Sequence, residues 1–168
     1  MFFIRRWFVT NVLMASIITA WYLYGRDLLL ALELNIMNDY MLSGFLLKWL
    51  ALYKAQEVTG RILAVHLRGT VFLNYWFEML GARVGSLVLL DTVDITDPTL
   101  VLIGNGAVIA EGAMVQSHEV RDGVLSFMLV KIGQNVSVGP YSVIQKGSVL
   151  GDEAEVPPLQ KTERKNCV

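Results

Sequence analysis

A spacing of six residues narrows the possible folds of this chain more than any other feature. Aliphatic side chains stand at Ile103, Ile109 and Val115, and again at Ile132, Val138, Ile144, Leu150 and Val156, six apart within each run. Glycine follows four of them (Gly104, Gly133, Gly139, Gly151), and a small residue or valine comes four positions after most of them (Ala107, Ala113, Val136, Ser142, Ser148, Ala154). A period of six matches neither the 3.6 of a helix nor the alternation of a strand, which leaves the short-period β-helix as the repeat class. Each hexad then makes one short strand and a corner. Its aliphatic side chain points into a narrow interior where the next coil stacks on it, and the small residue fills the crowded position beside it. Glycine and asparagine in "GNG" and "GQN" supply the backbone freedom that a corner needs.

The pattern resembles the hexapeptide-repeat acyltransferases. The resemblance covers residues 81–160, with a looser first coil in "GARVGSLVLLDTVDITDPTL", where Val84-Gly85 opens a hexad and the spacing then drifts. It implies a left-handed parallel β-helix with three hexads per coil. That handedness comes from the resemblance alone, since the general crossover rule favours the right hand. It also implies a thioester co-substrate, acyl-CoA or a phosphopantetheine-bound acyl group, and threefold packing of subunits into a homotrimer.

The rhythm breaks once. From Val115 to Ile132 there are 11 residues more than the pattern needs, so a loop leaves the coil and returns. Loops on a rigid scaffold carry function disproportionately. In the sugar-modifying members of the resembled family such an excursion carries a catalytic histidine, and the matching residue is His118 in "VQSHEV". A hydroxyl or amine attacking a thioester must shed a proton, and an imidazole, which titrates near neutrality, suits that task. The developing oxyanion needs a preplaced donor such as a backbone N–H at a coil corner. Glu119 or Asp122 is positioned in sequence to hold the imidazole tautomer. The apolar stretch "VLSFMLV" at 124–130 fits either a neighbouring subunit or a return onto the chain's own coil.

The N-terminal half reads differently. Arg5 and Arg6 precede an uncharged run over residues 7–25, about 28 Å long as a helix, close to the thickness of a bilayer's hydrocarbon core. Trp7 lies at one end and Trp21, Tyr22 and Tyr24 at the other, as interfacial aromatic residues would. A signal peptide shares this outline, but "AWYLYG" offers no small-x-small cleavage site. The next apolar block carries Glu33, Asn35, Asn38 and Asp39 near its middle, which fits two short helices as well as one span. With Lys48, Lys54, Arg61 and Arg68 after it, two spans put the β-helix on the cytoplasmic side with Arg5 and Arg6, and one span puts it opposite. The expectation is a membrane protein with the β-helix cytoplasmic.

Between the halves, "FLNYWFEMLG" has helical spacing and ends at Gly81. The string from "LRGT" to "LGARVG", with the apolar block before it and "VQSHEVRDG" after it, resembles the membrane-embedded terminal region of bacterial synthetases of the polylysine type, which make poly-amino acids. The expected organisation is therefore membrane-anchoring helices over 1–54, a linking helix over 55–80, a left-handed β-helix over 81–160 and a charged tail over 161–168. His66, beside Arg68 in "AVHLRGT", is read as structural.

Composition excludes several classes. Net charge is -1, so no basic field suggests nucleic acid. One cysteine, Cys167, rules out an internal disulfide framework and a thiolate zinc cluster. A carbonic-anhydrase-type site on the same fold needs three zinc-binding histidines, and the chain has 2 in all, so no metal is expected. The functional expectation is acyl transfer from a thioester to a hydroxyl or amine of unknown identity, with His118 as base. The alternative is a non-catalytic β-helix scaffold that assembles a membrane complex.

Overall fold

Three parallel sheets built from strands of two or three residues form the body of the protein. The computed structural model describes residues 39–40, 44–122 and 124–162. The chain runs β1 (Asp39–Tyr40), α1 (Gly44–Ile62), a 3-10 turn (Ala64–Leu67), α2 (Val71–Met79), β2 (Arg83–Val84), β3 (Leu89–Leu90) and a second 3-10 turn (Pro98–Leu100). It continues through β4 (Val101–Ile103), β5 (Val108–Ile109), β6 (Met114–Val115), β7 (His118–Arg121), β8 (Val124–Phe127) and β9 (Val130–Ile132). Five strands complete it: β10 (Ser137–Val138), β11 (Val143–Ile144), β12 (Val149–Leu150), β13 (Glu155–Val156) and β14 (Lys161–Thr162).

The sheet orders are β2-β4-β9-β12, β3-β5-β10-β13 and β6-β11-β14. The chain thus visits three faces in rotation, an arrangement compatible with a parallel β-helix. Register aligns one inward residue per strand into a column: the half-buried Val84 with the buried Ile103, Ile132 and Leu150 on the first face. Leu90, Ile109, Val138 and Val156 line the second, and Ile95, Val115, Ile144 and Thr162 the third. The alternate side chains face out, as a period of two requires. At the corners backbones stack closely: a Cβ added to Gly104 would lie 2.5 Å from the Gly133 carbonyl oxygen.

Strand partners are 18 residues apart in the last coil (Ile132 with Leu150) but 29 apart one coil earlier (Ile103 with Ile132). The difference is the excursion, and it is ordered as an antiparallel hairpin: β7 pairs with β8, and β1 adds to β8's other edge. Asp122 at the turn has φ 52°. The Asp-Gly sequence at 122–123, flanked by alternating apolar residues, is the hairpin signal. The apolar side chains of β8 return onto the chain's own body: Leu125 and Phe127 pack with Trp49, Tyr53 and Leu100.

The expected membrane helices over 1–54 and the membrane location that followed from them are corrected. Among the described residues no helix is long and apolar enough to cross a membrane. α1 carries Lys48, Lys54, Glu57 and Arg61, and it runs through position 54 without a break. Its stripe Trp49, Leu52, Gln56 and Thr59 recurs at helical spacing and lies against the strand stack, so its apolar content serves packing within the protein. The run over residues 7–25 lies outside the described residues.

α2 covers the first coil with Leu73, Trp76 and Phe77. It ends in a Schellman motif: the Ala82 N–H donates to the Phe77 carbonyl at 2.9 Å and the Gly81 N–H to Glu78 at 3.0 Å. Gly81 has φ 100°, which only glycine adopts without strain.

Candidate functional site

The site is assembled by the third face of the stack. Ile95 bridges Val115 in parallel, the Thr96 N–H donates to the Val115 carbonyl at 2.9 Å, and the Ser117 hydroxyl donates to the Thr96 carbonyl at 3.1 Å. These bonds fix the segment 94–97 alongside 115–118, so Asp97 and His118 meet although they are 21 residues apart. Asp97 has φ 45° and ψ 66°, a left-handed conformation that aspartate tolerates better than most residues. Pro98 follows it and starts the 3-10 turn. The Asp97 side chain makes no capping bond, so both of its oxygens are available to other partners.

Those partners are His118 and Trp49. The His118 Nδ1 lies 2.6 Å from Asp97 Oδ2, and the Trp49 indole Nε1–H donates to Asp97 Oδ1 at 2.7 Å. Asp97 is 1% exposed. A carboxylate accepts only, so this contact puts the proton of a neutral His118 on Nδ1 and leaves the Nε2 lone pair free. Nε2 has no hydrogen-bond partner among the described residues. The His118 side chain keeps 12% of its surface exposed.

Aromatic rings wall the imidazole. Trp49 and Tyr53 meet it edge-on with centroids at 4.8 and 5.5 Å, and Phe127 lies 6.0 Å away. Trp49 and Tyr53, four residues apart on α1, stack on each other at 5.4 Å. Burial pushes the Tyr53 phenol above its ordinary range, as do the carboxylates of Glu57, Asp97 and Asp94, while Lys54 pulls the other way. The arrangement is a histidine with one nitrogen held by a buried carboxylate and the other open at the edge of an aromatic enclosure. Such a histidine can take up and return a proton.

The two carboxylates that sequence spacing offered lie elsewhere. Glu119 pairs with Lys146 at 2.8 Å, and that lysine also bonds the Ser126 hydroxyl. The lysine, chiefly through its hydrogen bond, holds the Glu119 carboxyl below its usual range. Asp122 sits at the hairpin tip with its side chain 95% exposed, 4.0 Å from Arg121. His66 falls in the first 3-10 turn. Its neighbour Arg68 bridges two coils, meeting Asp91 at 3.0 Å and Glu111 at 2.9 Å.

Comparison with known proteins adds one relationship. The chain is similar to part of a synthetase. It is 31% identical over 121 residues to the delta-poly-L-ornithine synthetase of Acinetobacter baumannii (strain AB307-0294), a stretch that is 71% of this chain and 9% of that protein. No family model matches the chain, and no solved structure matches it.

Asp97, Trp49, Tyr53 and Phe127 were not singled out by sequence reasoning. The Asp-Pro turn at 97–98 and the Trp-x-x-x-Tyr spacing on α1 are the signals that mark them.

Proposed function

We propose that the chain transfers an acyl group from a thioester, acyl-CoA or a phosphopantetheine-bound donor, to an amine or hydroxyl, with His118 as general base and Asp97 as the residue that orients it. The observation that carries this reading is the 2.6 Å contact between His118 Nδ1 and a carboxylate whose second oxygen is taken by Trp49. In the proposed step the acceptor's nitrogen or oxygen attacks the thioester carbon and its proton passes to His118 Nε2. The C–S bond then breaks, and the leaving thiolate takes the proton back from the imidazolium. The step uses no metal. The relative's name supports the amine as acceptor class, because a polymer of amino-acid units is joined by acylating amines.

The same reading has the stack assembling as a homotrimer. Its support is the row of outward apolar side chains on the second face, Leu89 and Val108, which are 45% and 38% exposed.

Thiol release from acetyl-CoA in the presence of short amines and alcohols tests the reading. His118→Ala is expected to lower the rate by about two to four orders of magnitude. An unchanged rate in a folded variant overturns the assignment. A second reading, a scaffold that assembles a complex, is favoured by the outer face of α2, where Val71, Phe72, Tyr75 and Met79 are all more than half exposed.

A further inference from the structure

The hairpin that carries His118 leaves the stack between two corners. Ile95, Val115 and Ile144 align in register across three successive coils, and two positions after them stand Asp97, Ser117 and Lys146. Asp97 and Lys146 thus occupy matching corners, one in the coil before the excursion and one in the coil after it. The launching segment is bonded to both coils: the Ser117 N–H donates to Thr96 Oγ1 at 3.0 Å, and the Gln116 N–H donates to the Ile144 carbonyl at 2.8 Å.

Successive residues of a strand point to opposite faces, so the cross-strand pair His118 and Phe127 shares one face of the hairpin, and the pair Glu119 and Ser126 the other. The first face meets Asp97, Trp49 and Tyr53. The second meets the corner that follows β11. There Lys146 Nζ lies 2.8 Å from Glu119 Oε2 and also donates to the Ser126 hydroxyl, which in turn donates to the Glu119 main-chain carbonyl at 3.1 Å. One ammonium therefore ties β7 to β8 a single residue away from His118 and Phe127. The Lys146 side chain is only 19% exposed, a degree of burial that suits a lysine with partners. The next residue, Gly147, has φ 74°, and a Cβ there would lie 3.2 Å from the Met128 sulfur, so the hairpin's base is seated on the same corner.

We propose that Lys146 is a positioning residue for His118. From the later coil it clamps the second face of the hairpin, and Asp97 in the earlier coil receives the imidazole on the first face, so the ring is fixed between an acid and a base that never touch each other. Glu119 and His118 share a peptide unit, and holding the Glu119 carboxylate and carbonyl fixes the backbone from which the imidazole projects. Without the clamp the 2.6 Å contact between His118 Nδ1 and Asp97 Oδ2 loosens.

Exchange of the His118 Nδ1–H with solvent, together with the imidazole nitrogen chemical shifts, tests this with no substrate present and well below the melting transition. Lys146→Met is expected to speed the exchange about tenfold and to raise the fraction of Nε2-protonated ring, and Lys146→Arg, which keeps the charge and the donors, to restore both. Arg68→Met is the control: it breaks another ion pair that bridges coils, to Asp91 and Glu111, and should lower stability without moving the His118 signals. Ser126→Ala and Glu119→Gln each remove one arm of the clamp at nearly constant volume, and should give the same change in smaller measure even where Lys146→Met does not fold. Unchanged His118 signals in the clamp variants, or an equal disturbance from Arg68→Met, overturns the proposal and leaves Lys146 a stabilising residue alone. One further expectation rests on the acyl-transfer reading: Lys146→Met lowers kcat by about tenfold to a hundredfold with little change in KM, because a misplaced base binds substrate as before. A native chain that turns over no thioester refutes that reading, while the imidazole measurements still decide whether Lys146 positions the ring.

Discussion

Asp97→Asn is the sharpest test of the His118 site, because the structure dictates which way the new amide must face. The Trp49 indole donates and cannot accept, so it requires the amide oxygen at the place where Asp97 Oδ1 now receives it at 2.7 Å. The reverse orientation sets two donors against each other in a buried position, at a cost of about 1–3 kcal/mol. With the oxygen committed to Trp49, the amide NH2 faces the His118 Nδ1, which must then be the unprotonated nitrogen. The proton moves to Nε2, and the open nitrogen no longer accepts. The expected loss in thioester turnover is about two to four orders of magnitude, or about 3–5 kcal/mol in the barrier. Shape and volume are nearly unchanged, so the melting temperature should move little. Nitrogen chemical shifts of the imidazole read the tautomer directly, whatever the substrate. Adding Trp49→Phe to the variant removes the donor that imposes the orientation, and part of the lost rate should return. A ring that keeps its proton on Nδ1 in Asp97→Asn, or a turnover that does not change, would refute this reasoning.

Three further outcomes follow from the packing. Gly104→Ala drives a methyl group to 2.5 Å from the Gly133 carbonyl and should destabilise the stack by about 1–3 kcal/mol in urea unfolding, whereas an unchanged midpoint would contradict the close corner stacking. Because Lys146 lowers the folded-state pKa of Glu119, that pair stabilises the fold above the unfolded carboxyl pKa, roughly 4.3, and its contribution is lost as pH falls through the lower folded value. The stability difference between the native chain and Lys146→Met should therefore shrink on acidification, and a difference that stays constant with pH argues against the pairing. Mass measurement in solution at micromolar concentration should give three copies, and Leu89→Arg on the second face should give one; a monomeric native chain overturns the trimer.

Much of the fold was legible in residue spacing because the forces involved are local. The side chains at Ile103, Ile109, Val115, Ile132, Val138 and Ile144 are at most 4% exposed, since any coil that short must turn its aliphatic residues inward. The helix ending at Gly81 was readable for the same reason, its stop being written in a single glycine. His118 was visible because it follows the one break in the rhythm.

Tertiary structure decided the rest. Neighbouring residues on a strand point to opposite sides, so Glu119 could not serve the imidazole that precedes it. The carboxylate that does serve it arrives from the previous coil, through a bridge between Ile95 and Val115 that lies in the stretch where the spacing drifts. The charges at Lys48, Lys54, Glu57 and Arg61 already speak against a span over 44–62, but its apolar residues carry no mark of what they pack against. Only the presence of the strand stack beside Trp49 and Leu52, and the engagement of the Trp49 indole by a buried aspartate, settled what that helix is for: it closes the wall around His118.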